Sequence, residues 1–171
     1  MPYKLLFVCL GNICRSPAAE NIMNYLIKQA SMSDAYASTS ALSIVCDSAG
    51  TAQYHIGSSP DRRMVAALSA REIPTIGKAR QFQKSDLENF DLILAMDKQN
   101  YQDILALDQA NRYRNKVRLI CEFCQHHDQQ EVPDPYYGGV EGFNRVIDLL
   151  LDACDGLLEH LVKQHHLNNG E

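Results

Sequence analysis

The chain carries a cysteine and an arginine six positions apart, Cys9 and Arg15, in the segment CLGNICRSP. A cysteine thiolate is a strong nucleophile, and the planar guanidinium of an arginine holds two phosphate oxygens at once. The spacing alone is weak evidence, because about 0.3 such pairs are expected by chance in a chain of this composition. The context is stronger evidence, since the segment lies between the apolar run LLFV and residues with helical periodicity.

A turn between a buried strand and a helix can bind an anion. Its backbone N–H groups point inward, and the N-terminus of the helix adds positive potential. In such a turn we expect Cys9 to react as a thiolate and Arg15 to hold the phosphoryl oxygens. Gly11 and Asn12 suit a left-handed backbone, and the Ser16 hydroxyl can donate to the sulfur. Neither the dinucleotide fingerprint nor the Walker sequence is present, so the usual nucleotide sites are not indicated.

The rest of the chain must position this turn, and its apolar periodicity alternates between strand and helix. The predicted strands are KLLFVC, LSIVCDSAGT, DLILAM and NKVRLIC. Four predicted helices begin at Ser16 with Pro17, at Ser59 with Pro60, at a Ser85–Glu88 capping box and at Asp97. A long stripe of apolar residues near the end of the sequence predicts the last helix. This order predicts an α/β fold with helices on both faces of a parallel sheet, and ligands bind at the carboxyl ends of its strands.

Overall composition narrows the class of protein. The chain has 171 residues, 46% of them hydrophobic, a net charge of -5 and no shift in composition that would mark a linker, so we expect one domain over residues 1–171. An acidic chain lacks the positive field that holds proteins on nucleic acid or anionic lipid, and we expect neither partner. No apolar run reaches the ~18 residues of a membrane-spanning helix, and MPYK does not resemble a secretory signal. We expect a cytoplasmic protein, monomeric or weakly self-associating, with reduced cysteines.

The segment VCLGNICRSPAAE resembles the opening of the low-molecular-weight protein tyrosine phosphatases. The likeness continues through DSAGT, HIG, PDRRMV, KARQF, DLILAMD and VPDPYYGG. It implies a small four-stranded parallel sheet with the phosphate-binding loop after the first strand. It also implies hydrolysis of phosphotyrosine-containing proteins through a phosphocysteine, with no metal or cofactor. Carried over by position, the resemblance implies that Cys9 is the nucleophile and that Arg15 holds the transition state. The backbone amides of the phosphate-binding loop would come from Leu10, Gly11, Asn12, Ile13 and Cys14. The side chains that brace this loop would be those of Asn12, Ser16 and Ser48.

The oxygen that leaves from a phosphate ester needs a proton, and CLGNICRSP contains no acid to supply it. Asp134 lies between two prolines in EVPDPYYGG, where an aspartate could also serve only to form a turn. The resemblance implies that this loop carries the general acid, Asp134. It also implies that Tyr54, Tyr136 and Tyr137 line the substrate cleft, although Tyr54 could simply pack in a loop. Arginine-phosphate-specific relatives have a threonine in place of Ile13, which favours phosphotyrosine.

One departure from the family concerns the support of the loop asparagine. Many members have a histidine just before the KARQ segment that helps to hold this asparagine, and here the residue is Gly77. The support of Asn12 is then expected from Ser48, from water or from another group. A modest loss of loop rigidity is a further hypothesis.

The remaining cysteines leave alternative functions open. CEFCQHH contains two cysteines and two histidines that could bind zinc, but adjacent histidines point apart on most backbones. A related arsenate reductase would use Cys121 and Cys124 as resolving cysteines, although the Asp-Pro-Tyr-Tyr loop and their short spacing argue against it. Cys14 could instead protect the nucleophile by forming a reversible disulfide. A catalytically silent phosphate-binding protein would be expected to lack the nucleophile, the arginine or the acid, and all three are present.

Overall fold

A computed structural model describes residues 1–33 and 42–170, and within these residues the chain forms four β-strands and five α-helices. The strands are β1 Tyr3–Cys9, β2 Ile44–Gly50, β3 Leu92–Ala95 and β4 Val117–Leu119. The helices are α1 Arg15–Ser31, α2 Arg62–Ser69, α3 Asp86–Asn89, α4 Lys98–Ala106 and α5 Val140–Asn169. All strand pairs are parallel and follow the order β2-β1-β3-β4. The predicted four-stranded parallel sheet is confirmed.

The central strand β1 is buried on both faces of the sheet. Leu5 and Phe7 pack in the core beneath α1 and α5, whereas Leu6 and Val8 pack with Ile104 of α4 on the opposite face. Residues 5–9 of this strand are all buried, so none of these positions suits a charged side chain, which explains the continuous apolar run. The prediction of helices on both faces is confirmed.

The start of α1 differs from the prediction. The helix begins at Arg15, with Cys14 at the N-cap position, so Ser16 is not the cap but lies in the first turn. The Ser16 hydroxyl lies 3.0 Å from the Cys9 sulfur. Because that oxygen is turned toward the loop, it is not available to cap the helix. The prediction of a Ser16 cap was therefore wrong.

The other predicted helix starts have mixed outcomes. Asp97 caps α4, as predicted, by accepting a hydrogen bond from the Asn100 N–H. Asp61, rather than Ser59, caps α2. Ser85 makes no side-chain cap at α3, so the predicted capping box is wrong. At α2 the Asp61 carboxylate accepts the hydrogen bond from the Arg63 N–H that a serine hydroxyl was expected to accept.

The sheet brings distant segments to one edge. Cys9 ends β1, Ala95 ends β3 shortly before α4, and the segment after β4 leads to the acidic loop around Asp134. The fourth strand is shorter than the pattern NKVRLIC predicts, because a 3-10 helix over Ile120–Phe123 takes the chain out of the sheet. Among the described residues, no helix is both long and apolar enough to cross a membrane.

Candidate active site

The loop between β1 and α1 wraps around the sulfur of Cys9. The backbone N–H of Asn12 donates to this sulfur over 3.2 Å, and the Ser16 hydroxyl lies 3.0 Å from it. Asn12 has a left-handed backbone with φ of 56°, as its residue type suggested. A Cβ at Gly50 would lie only 2.7 Å from the Leu10 carbonyl oxygen, so the end of β2 approaches the loop as closely as glycine allows. The loop is therefore held in a conformation that supports the buried sulfur.

The side chain of Asn12 is held by two hydrogen bonds. Its Nδ2 donates to the Ser16 hydroxyl over 2.8 Å, and its Oδ1 accepts from the backbone N–H of Arg80 over 3.0 Å. Ser48 does not make the expected contact with Asn12, because its hydroxyl donates to Glu20 over 2.7 Å. The support expected from Ser48 comes instead from Ser16 and from the backbone of Arg80, 68 residues away.

The guanidinium of Arg15 is buried and held on one side. Its Nη1 donates to the carboxylate of Asp97 over 2.6 Å and to the Val132 carbonyl over 3.1 Å. Burial lowers the pKa of Arg15, but the nearby Cys9 and Asp97 outweigh this effect and the pKa is raised. Arg15 therefore stays charged, and Nη2 lies 3.9 Å from the carboxylate of Asp134. The arginine thus connects the loop after β1 with the loop that carries Asp134.

Asp134 lies at the mouth of the same site. Its Oδ1 accepts a hydrogen bond from the backbone N–H of Tyr136 over 3.0 Å, which fixes the short turn that contains Pro135. The side chain is 43% exposed, so the carboxyl group is accessible from the cleft. The loop therefore presents a carboxyl group above the Arg15 guanidinium.

A cavity of about 220 Å³ opens over the loop, and Cys9, Arg15 and Asp134 all line it. The three tyrosines expected in the cleft also line it, namely Tyr54, Tyr136 and Tyr137. Tyr136 and Tyr137 meet edge to face with ring centroids 4.9 Å apart, while Tyr54 and Tyr137 are largely exposed. The cavity is thus a slot with aromatic walls and the sulfur and guanidinium at its base.

Cys14 and Ile13 also line this cavity. Burial, followed by the charge of Asp61, raises the pKa of Cys14 to about 12. Cys14 is therefore a neutral thiol at physiological pH, unlike the thiolate expected at the nucleophile. Its predicted role as a disulfide partner of Cys9 stays a prediction.

The CEFCQHH segment does not belong to the cavity. Burial raises the pKa of Cys121 to about 11 and that of Cys124 to about 12, which keeps both thiols protonated. Asp152 of α5 accepts from the His126 backbone N–H and pairs with His127 Nδ1 at 2.7 Å. Over residues 1–33 and 42–170, no group of three cysteine, histidine or carboxylate side chains is arranged to hold a metal. The segment packs against α5 as structural support.

Three residues of the site were not identified from the sequence. Asp97 was expected only to cap a helix, yet it holds Arg15. Its position directly after β3, at the carboxyl edge of a parallel sheet, is a signal that could have identified it. His55 lines the cavity and packs over Gly11, and Arg80 holds Asn12 through its backbone. Nothing in the local pattern distinguishes either one.

Comparison with known proteins agrees with this geometry. The family described as low molecular weight phosphotyrosine protein phosphatase matches residues 4–167. A Synechocystis protein with the name of a low molecular weight protein-tyrosine-phosphatase is 57% identical over 161 residues, which cover 94% of this chain and 98% of the relative. The Sus scrofa low molecular weight phosphotyrosine protein phosphatase is 37% identical over 91% of this chain and 94% of its own. A crystal structure of an Entamoeba histolytica protein tyrosine phosphatase, with Hepes in its active site, superposes with a TM-score of 0.85 at 43% identity and covers 95% of this chain and 99% of that one. The chain therefore belongs to the low molecular weight phosphotyrosine protein phosphatase family and is an enzyme of that class.

Proposed function

We propose that the protein hydrolyses phosphotyrosine in proteins by a two-step reaction through a phosphocysteine at Cys9. The observation that carries this proposal is the convergence of three groups on one cavity. The Cys9 sulfur is at its base, the Arg15 guanidinium is beside it, and the Asp134 carboxyl group is at its mouth. A nucleophile, an anion clamp and an acid are the three groups that this reaction needs.

In the first step the Cys9 thiolate attacks phosphorus, and an S–P bond forms while the bond from phosphorus to the tyrosyl oxygen breaks. Asp134 gives its proton to that oxygen, so tyrosine leaves as the neutral phenol. In the second step Asp134 takes a proton from water, which attacks phosphorus. The S–P bond then breaks to release inorganic phosphate and the thiolate. The Asn12 N–H and the Ser16 hydroxyl are placed to stabilise the sulfur when it leaves.

The Arg15 guanidinium binds the phosphoryl oxygens in both steps. Its Nη1 is already engaged by Asp97 and the Val132 carbonyl, which leaves Nε and Nη2 to face the phosphate. A guanidinium fixed in advance costs no reorganisation when the phosphoryl group flattens in the transition state. This arrangement supports Arg15 as the main electrostatic stabiliser of the reaction.

The walls of the cavity favour an aromatic ester over a small alkyl ester. Tyr54, Tyr136 and Tyr137 form a slot that suits the flat ring of phosphotyrosine. Ile13 gives this slot an apolar lining beside the phosphate site, which suits a phenyl ring better than a guanidinium. We propose phosphotyrosine-containing proteins as the substrates on this basis.

The test compares a phosphotyrosyl peptide with p-nitrophenyl phosphate, whose leaving group departs readily without a proton. Cys9→Ser should abolish turnover of both substrates. Asp134→Asn should lower kcat/KM, which reports formation of the phosphocysteine, about 100-fold or more on the peptide and much less on p-nitrophenyl phosphate, because general acid catalysis is worth 10²–10⁴-fold. Activity that survives Cys9→Ser, or an equal effect of Asp134→Asn on kcat/KM for both substrates, would refute the proposal.

The arsenate reductase alternative is tested with the double variant Cys121→Ser/Cys124→Ser. The protonated thiols and their position outside the cavity lead us to expect no effect of this variant on phosphatase activity and no thiol-dependent arsenate reduction by the wild type. We also propose a cytoplasmic location, since the six cysteines are free thiols, as is usual in reducing compartments. A monomeric or weakly associating state is proposed from the sequence alone.

A further inference from the structure

Arg80 lies outside the catalytic cavity, and yet its backbone holds the phosphate loop. Its N–H donates to Asn12 Oδ1 over 3.0 Å, and Asn12 in turn donates its own N–H to the Cys9 sulfur over 3.2 Å. Asn12 is 2% exposed and has a left-handed backbone, a conformation that costs a non-glycine residue about 1 kcal/mol or more. A strained residue persists only where its surroundings hold it, and Arg80 supplies one of these contacts.

The segment around Arg80 is itself attached to the end of β2. The Gly50 N–H donates to the Arg80 carbonyl over 2.9 Å, and the Phe82 N–H donates to the Gly50 carbonyl over 2.7 Å. On the other side, Ala79 exchanges hydrogen bonds with the turn that contains Gly57 and Ser58. The backbone N–H that reaches Asn12 therefore lies on a short extended segment between β2 and the cleft loop.

The guanidinium of Arg80 fixes this segment through two carboxylates that do not line the cavity. Its Nε and Nη2 donate to Asp47 Oδ2 over 3.1 and 2.9 Å, and its Nη1 and Nη2 donate to Asp86 over 3.0 and 3.2 Å. Asp47 lies on β2 and Asp86 is the first residue of α3. Only a planar group with several donors can pair with both carboxylates in this way. The side chain thus links a strand to a helix while the backbone of the same residue reaches the loop.

We propose that Arg80 is a positioning residue of the phosphatase reaction and acts through Asn12 on the Cys9 sulfur. It does not line the cavity, so it has no contact with the substrate. The inference rests on the proposed function, because it assigns Cys9 as the nucleophile. When the guanidinium is removed, segment 79–82 loses its lateral anchor, the N–H of residue 80 shifts from Asn12, and the sulfur is less well supported as nucleophile and leaving group.

The test is a double-mutant cycle on p-nitrophenyl phosphate with Arg80→Ala, Asn12→Ala and the double variant. Arg80→Ala should lower kcat about tenfold and leave KM within about twofold, because the effect falls on the reacting sulfur and not on substrate contacts. In the Asn12→Ala background, removal of Arg80 should lower kcat no further, since the link is already broken. Arg80→Lys should give an intermediate kcat, because an ammonium cannot reproduce both carboxylate pairs.

The matched control is Arg71→Ala, which breaks the ion pair of Arg71 with Asp148 of α5 at 2.5 Å, away from the cavity. This control should keep the wild-type kcat. Effects of Arg80→Ala and Asn12→Ala that simply add, or a kcat for Arg80→Ala within twofold of Arg71→Ala, would overturn the inference. If circular dichroism shows Arg80→Ala to be unfolded, the same cycle with Arg80→Lys decides the question by the same criteria. If Cys9→Ser is inactive while Arg80→Ala keeps the wild-type kcat, this inference is refuted but the proposed function is not.

Discussion

Glu20 of α1 is a carboxyl group that should make the stability of the protein depend on pH. Burial raises the pKa of Glu20 from 4.5 to about 7, a hydrogen bond from the Ser48 hydroxyl lowers it, and the charge of Asp47 raises it further. Arg80 offsets this only in part, because its guanidinium is already engaged by Asp47 and Asp86. A side chain at position 77 would lie next to the Glu20 carboxyl group, but this residue is Gly77 and supplies no positive charge to lower the pKa of Glu20.

The sign of the effect follows from proton binding. Between pH 4.5 and about 7 the folded protein keeps a proton on Glu20 that the unfolded chain has lost. The free energy of unfolding therefore decreases as pH rises through this window and is constant above it, as far as this group is concerned. A pKa difference of this size corresponds to a loss of about 3 kcal/mol at most in the free energy of unfolding. Because the carboxyl group is partly exposed to solvent, we expect a smaller loss of about 1–2 kcal/mol.

Glu20→Gln should remove this pH dependence, since a glutamine still accepts from Ser48 but has no proton to lose. The assay is urea unfolding at pH 5, 6, 7 and 8, followed by far-ultraviolet circular dichroism because the chain has no tryptophan. Relative to wild type, the variant should gain about 1–2 kcal/mol in free energy of unfolding between pH 5 and pH 8. Glu88→Gln, on the exposed surface of α3, is the control and should show no such gain. A Glu20→Gln curve parallel to that of the wild type would refute the reasoning.

Three further changes test other contacts of the structure. Asp97→Asn keeps a hydrogen-bond acceptor at the start of α4 but removes the negative charge that holds Arg15. We expect kcat to fall about tenfold while the folded fraction stays unchanged, and a wild-type kcat would contradict this. Gly156→Ala should lower the free energy of unfolding by about 3 kcal/mol, because the new Cβ would overlap the backbone carbonyl of Phe123. Urea titration measures this, and an unchanged midpoint would show that α5 can shift to make room. Ile13→Thr puts a hydroxyl group in the cavity. The ratio of kcat/KM for phosphoarginine to kcat/KM for phosphotyrosine should rise about tenfold, and an unchanged ratio would show that Ile13 does not determine specificity.

The sequence by itself determined the parts of the fold that depend on local periodicity. Continuous apolar runs marked β1 and β3 because these strands are buried on both faces, and the strand-turn-helix order placed CLGNICRSP at the carboxyl edge of a parallel sheet. The cap at Asp97 was equally predictable, since it depends on a hydrogen bond to a residue three positions away. The Ser16 cap was wrong because a local preference competed with a better contact at the Cys9 sulfur.

Tertiary structure alone decided how the active site is held. Arg15 is fixed by Asp97 and Val132, which are 82 and 117 positions away, and Asn12 is fixed by the backbone of Arg80, 68 positions away. The pattern of strands could place Asp97 at the edge of the sheet, but it does not say which groups meet there, because that depends on which strand ends are neighbours. The residue types of the candidate site are therefore predictable from local chemistry, whereas their support depends on the order β2-β1-β3-β4, which brings those strand ends together.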